Sequence, residues 1–160
     1  MPTGLTRQTF ICLVLLVAVT QLPAYSIRLF SLEAFGIRAS MRNTEAHLRL
    51  KAKGFVSKTS PFPSIADGKK TIYAKGHHSV ILVSSNQAIL EISSTEVEVN
   101  RIKVSMGDSA KQVFSKFGKP DKIESLKNGS QKLQYLDSQR PQAFGVIMSS
   151  GRVSRIVFGG

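Results

Sequence analysis

Apolar residues recur at helical spacing most clearly in the second half of the chain, where Ala110, Val113, Phe114 and Phe117 fall at i, i+3, i+4 and i+7. Ser109 and Gln112 precede and enter that stripe in the S-x-x-Q order of a capping box. Gly118 suits a left-handed C-cap and Pro120 forbids continuation, so a helix is predicted between them. A related segment stands earlier, "ASMRNTEAHLRLKAKGF", Ala39 to Phe55. There Asn43 or Thr44 can cap, Met41, Leu48, Ala52 and Phe55 share a face, and Gly54 stops the turn. Its "HLRLKA" also alternates as a strand would, and both readings stand. Strict alternation marks the strands. Leu133 and Tyr135 alternate with polar neighbours, as do Ile72 and Ala74, which predicts half-buried antiparallel strands with one wet face. Val80–Val83 and Phe144–Met148 lead through the turn pairs Ser85-Asn86 and Ser150-Gly151 into Ala88–Ile92 and Val153–Phe158. Asn128-Gly129 is a hairpin signal between Lys122–Ser125 and Gln131–Leu136.

These elements repeat. Ser40-Met41 matches Ser105-Met106 and Ser84-Ser85 matches Ser149-Ser150, each at an offset of 65 residues, while Gly54 pairs with Gly118 and Tyr73 with Tyr135 at slightly shorter ones. Insertions that cancel point to one supersecondary unit used twice. The predicted class is α+β: two tandem units, residues 27–95 and 96–160, each a helix packed on a three- or four-stranded antiparallel sheet. Units of this size are marginal alone, so the two are expected to share or extend one sheet.

The amino terminus changes the setting. Arg7 precedes the unbroken apolar run Phe10–Val19, and "TQLPAYS" then places Ala24 and Ser26 in the pattern of a signal-peptidase site. Ten apolar residues fall short of the roughly 20 that span a bilayer as a helix. Residues 1–26 are therefore predicted to be a secretory signal, with a periplasmic or secreted product beginning near Ile27; a single N-terminal membrane anchor is the alternative. Cys12, the only cysteine, lies inside the apolar run, so the exported part would stand without disulfides. Bulky Ile11 before it does not fit a lipoprotein signal.

With 22 Lys+Arg against 10 Asp+Glu the formal charge is +12, which suits an anionic partner or a solvated basic surface. Arg42, Arg49 and Lys53 share one exposed side of the first helix, and Lys69 and Lys70 close the segment 57–70. That segment, "SKTSPFPSIADGKK", reads as an exposed loop with Phe62 at its tip, able to dock in a partner. The strand tyrosines Tyr73 and Tyr135 complete the candidate interaction residues. A protein partner is expected, with anionic lipid headgroups or a cell-wall polymer as the alternative. Nucleic acid is disfavoured because the aromatic residues are spent on apolar stripes and are not interleaved with bases.

Little here could carry catalysis. His77 and His78 are adjacent, so on a strand they would point to opposite faces, and only His47 remains for a metal set. Ser79 beside His78 has no nucleophile-elbow motif around it. Glu96 and Glu98 could share a strand face, but Val97 and Val99 fill the other face, the pattern of a solvated outer edge. No Gly-rich phosphate cradle is present, and Asn128-Gly129-Ser130 forms a glycosylation sequon whose turn value already accounts for it. The expectation is a non-enzymatic protein with no metal, cofactor or small-molecule substrate.

"MGDSAKQVFSKFGKPD", a strand ending in Tyr135 and "GVIMSSGRVSRIVF" together resemble the BamE-like (SmpA/OmlA) outer-membrane assembly family. Tandem use of such a unit is similar to the beta-lactamase inhibitor protein family. The resemblance covers residues 100–160 well and 35–95 weakly. It implies a helix-over-sheet fold and either a scaffold or accessory role in outer-membrane assembly or an inhibitor-like binding role. The lipoprotein cysteine of the first family is missing, and the chain has no Trp to match the binding face of the second.

Overall fold

Alternating β-branched, aromatic and hydroxyl-bearing residues build most of this molecule as strands. The structure, a computed structural model, describes residues 30–138 and 140–159. The expected signal segment 1–26, its expected cleavage point and Cys12 lie outside the described residues. The elements run β1 (Leu32–Glu33), α1 (Asn43–Ala52), β2 (Val56–Pro61), β3 (Lys69–Lys75), β4 (His78–Ser85), β5 (Ala88–Ser94), β6 (Glu96–Val99), β7 (Ile102–Ser105), α2 (Ala110–Phe117), β8 (Lys122–Ser125), β9 (Gln131–Asp137), β10 (Arg140–Ser149) and β11 (Arg152–Gly159).

The expected α+β class, two tandem units each a helix packed on a three- or four-stranded sheet, is corrected. The fold is mostly β, and one eight-stranded antiparallel sheet runs β2-β3-β4-β5-β11-β10-β9-β8 beside a three-stranded sheet β1-β6-β7. The join is the ladder of β5 with β11, Ser94 opposite Ile156 and Ile92 opposite Phe158. Left as edges, those strands would expose unpaired backbone groups and two buried apolar side chains, so the halves fuse. The hairpin of β6 and β7 with β1 buries Val97, Val99 and Val104 into the common core, a layer that no helix-on-sheet unit contains.

What does recur is the attachment of each helix. Asn43 N–H donates to Gln87 O at 2.8 Å, and Ala110 N–H donates to Gly151 O at 3.4 Å. Each acceptor sits in a two-residue turn with both residues left-handed, Asn86 and Gln87 (φ 46° and 70°), Ser150 and Gly151 (φ 51° and 74°). Such turns match the right-handed twist of the flanking strands. The first pair lies one residue later than the expected Ser85-Asn86.

Helix α2 forms with its capping box complete: Gln112 N–H donates to Ser109 Oγ at 3.3 Å, and Ser109 N–H donates to Gln112 Oε1 at 2.7 Å. Val113 is fully buried, and Phe117 packs edge-on to Tyr135 and Phe144. Ser109→Ala should lower stability by about 1 kcal/mol, seen as a lower urea midpoint with an unchanged slope.

Helix α1 also forms, which removes the strand reading of "HLRLKA", but its cap and its face differ from expectation. Arg42 is the N-cap and supplies no side-chain bond, so neither Asn43 nor Thr44 caps. Ala46 and Leu50 face the core while Leu48 is 67% exposed. Leucines two apart on a helix point to nearly opposite sides, and the sheet takes only Leu50. The inward register of β3 is likewise the reverse of the expected one. Thr71 and Tyr73 are buried, and Ile72 is 40% exposed. Tyr73 brings the larger apolar surface, and its hydroxyl finds a partner inside.

The segment 57–70 is a hairpin, not a long loop. Ser57–Pro61 belongs to β2 and Lys69–Lys70 to β3, leaving Phe62 to Gly68 as the connection, closed by Phe62 N–H to Gly68 O at 2.8 Å. The Ser, Lys and Thr of β2 mask a strand whose side chains lie at a wet margin. His77 lies in the β3–β4 turn after left-handed Gly76, not on a strand. At the two sheet margins, β2 carries Lys58 and ends at Pro61, while β8 spans four residues, all exposed.

Both helices and the small sheet pack on one face of the large sheet. That face presents Tyr73, Val80, Leu82, Ile92, Ile156, Val146, Leu133 and Tyr135 to the core.

Candidate functional site

The pleat sends every second side chain to the opposite face, and the ladders align those residues across all eight strands. One row reads Lys58, Ile72, Ile81, Ser93, Val157, Gly145, Gln134, Lys122. On one side of it run Ser60, Lys70, Val83, Glu91 and Gly159, and on the other Arg155, Ile147, Lys132 and Glu124. Ile72 is exposed, Ile81, Ile147 and Val157 are half-buried, and none of the four belongs to the core cluster, whereas Val83 and Ser93 are buried within the face. Among the described residues, this face carries no packed helix or second sheet.

Its centre is apolar and its surround is basic. Lys58, Lys70, Lys122, Lys132 and Arg155 stand against Glu91 and Glu124, and Glu124 is engaged by Gln134 Nε2 at 2.9 Å. Gly145 makes a low point in the middle of β10. A Cβ there would come within 2.5 Å of Lys132 Cε, so the lysine stem lies across the glycine. An apolar floor with long cationic side chains able to swing away can seat a protruding apolar side chain of a partner and pair with acids around it.

Of the residues singled out from sequence, Lys70 alone lies on this face. Lys69 lies on the other side of β3 opposite Ser84. Arg42 is at the start of α1. Arg49 pairs with Glu45 at 2.8 Å and reaches Gly36 O, and the carbonyl of Lys53 accepts from Lys75 Nζ at 2.6 Å. Phe62 is half-buried within its tight connection and does not stand out as a docking tip. Tyr73 and Tyr135 are corrected from partner-contact to core residues, at 1% and 0% exposure. The Tyr73 hydroxyl shares a hydrogen bond with His47 Nδ1 at 3.0 Å, and burial pushes its pKa up. Tyr135 donates to Gly118 O at 3.2 Å and stacks on Phe144 with ring centres 4.9 Å apart.

The residues missed by sequence reasoning are the face itself: Lys58, Ile72, Ile81, Val83, Lys122, Lys132, Gly145, Ile147, Arg155 and Val157. One signal was available. Val80-Ile81-Leu82-Val83 is apolar on both faces of a strand, a pattern suited to a sheet covered on both sides.

Four ion pairs form elsewhere among the described residues, one of them the Arg49–Glu45 pair. Glu96 meets Lys103 at 2.8 Å, Glu33 meets Arg38 at 3.0 Å, and Asp108 meets Lys116 at 2.9 Å. The His77 and His78 rings lie 4.1 Å apart with their planes tilted by 44°, and among the described residues no three His, Cys, Asp or Glu gather as a metal set. Among the described residues no helix is long and apolar enough to cross a membrane. Comparison with family models, curated proteins and solved structures finds no match to the chain.

Proposed function

We propose that the chain is a non-enzymatic, exported envelope protein that binds another protein through the open face of its eight-stranded sheet. The observation that carries this reading is the row between Lys58 and Lys122, with Ile72, Ile81 and Val157 in it, which no helix or second sheet among the described residues covers. Five bases against two acids on the three rows favour a partner that is acidic around an apolar protrusion. The scaffold or accessory role in outer-membrane assembly, and the inhibitor-like role, are the forms of such binding that the sequence resemblance implies.

The test is capture of partners from envelope extract by the wild-type chain and by Ile81→Glu, at low and moderate salt. A carboxylate at the centre of a packed interface should weaken retention by about thirtyfold or more, whereas exposed electrostatic attachment is lost to salt alone. Equal capture by both proteins rules out the open face. If everything bound by the wild type washes off at moderate salt, the alternative of anionic lipid or wall polymer takes its place.

A further inference from the structure

A second surface feature lies where residues 30–42 meet the β4–β5 turn and the ends of β5 and β11. These segments line a half-open cleft of about 830 Å³. Its walls are part apolar and part polar: Leu32, Ile89 and Phe158 are buried side chains, Phe30, Ala39 and Met41 are half-buried, and Ser31, Ser40, Asn86 and Gln87 stand exposed at its margin. Two cations stand on its lining, Arg38 and Arg42, and none of its described lining residues is acidic. The two differ in what they already hold. Arg38 Nε donates to Glu33 Oε2 at 3.0 Å. Arg42 is exposed, and its guanidinium has no ion-pair or hydrogen-bond partner among the described residues.

We infer that this cleft binds a single-chain amphiphile with an anionic head, its acyl chain against Phe30, Met41, Ile89 and Phe158 and its head on Arg42. The volume suits a small-ligand pocket, about 300–1,000 Å³. A free inorganic anion would leave the apolar walls unfilled, and a neutral hydrocarbon would leave the arginine unpaired. A charged head on a hydrocarbon tail satisfies both, through a charge-assisted bond at one end and removal of apolar surface from water at the other. Arg38 contributes less because Glu33 already offsets its charge. The site shares only Gly159 with the open-face rows, so it stands or falls independently of the protein-binding reading.

The probe is dodecanoate, titrated below its micelle concentration into the full-length chain and followed by calorimetry, with dodecyl phosphate, dodecanol and inorganic phosphate as separate arms. Saturable one-to-one binding of dodecanoate is expected, with dodecanol weaker by roughly tenfold and inorganic phosphate without effect. Comparable binding of dodecyl phosphate assigns the site to anionic heads in general, and its failure beside dodecanoate narrows it to carboxylates; either outcome supports the inference. Arg42→Gln should weaken dodecanoate roughly tenfold and leave dodecanol unchanged, with Arg38→Gln milder. Ser40→Trp, at an exposed lining position, should reduce both ligands by filling the mouth. The inference is overturned if dodecanoate shows no saturable binding, if inorganic phosphate displaces it, or if Arg42→Gln and Ser40→Trp both bind it as the wild type does.

Discussion

Val157→Pro is expected to remove a large share of the stability of the folded state. Val157 lies in β11, which is paired on both sides, opposite Ser93 of β5 and Gly145 of β10. In a central strand every backbone N–H bonds to one neighbour or the other, so proline removes a ladder bond whichever way Val157 points its own. The cost is about 3 kcal/mol or more, against a total of about 5–15 kcal/mol for a typical domain. It falls on the strand whose ladder with β5 joins the two halves of the large sheet. Circular dichroism during urea unfolding should show the cooperative transition lost or moved far toward zero denaturant. Val157→Thr keeps the N–H and the branched side chain and should stay near the wild type. A proline variant that unfolds at the wild-type midpoint would show that the halves do not depend on this seam.

Tyr135→Ala should destabilise the chain by about 3–5 kcal/mol, the range for deleting a large buried aromatic side chain. Its ring lies against Phe144 nearly parallel, at 11°, and meets Phe117 edge-on at 5.8 Å. Removal opens a cavity beneath α2 and deletes the hydrogen bond that the Gly118 carbonyl accepts from the tyrosine hydroxyl. Thermal unfolding should shift down by roughly 10 °C or more. Tyr135→Phe separates the two contributions: it keeps the ring and loses only the hydroxyl bond, worth about 1 kcal/mol. If both variants melt alike, the ring contacts contribute nothing and the packing described for α2 is wrong.

Local chemistry was legible in the sequence, and long-range pairing was not. The Ser109 box, the stop at Gly118 and the Asn128-Gly129 hairpin depend on residues a few positions apart, so their pattern appears in the chain as it does in space. The ladder of β5 on β11 joins residues more than sixty positions apart, and nothing near Ile92 or Phe158 announces it. Alternation also fixes only which residues share a side. In β9 the inward side was read correctly, with Leu133 and Tyr135 buried, but in β3 Ile72 drew attention away from Tyr73. The same ambiguity displaced the face of α1 from Leu50 to Leu48. For the candidate site the difficulty was one of assembly. Lys58, Ile81, Val157 and Lys122 come from four strands and form a surface only after the registers are set.

An eight-stranded ribbon that does not close on itself leaves two flanks on which a neighbouring molecule could lay a further strand. Here one flank is four residues long and bears Lys122 and Glu124, and the other places Lys58 at its middle and a proline at its end. Each interrupts or charges the template that fibril growth requires. Both flanks thus oppose edge-to-edge growth, which leaves the face that no described element covers as the surface open to other encounters.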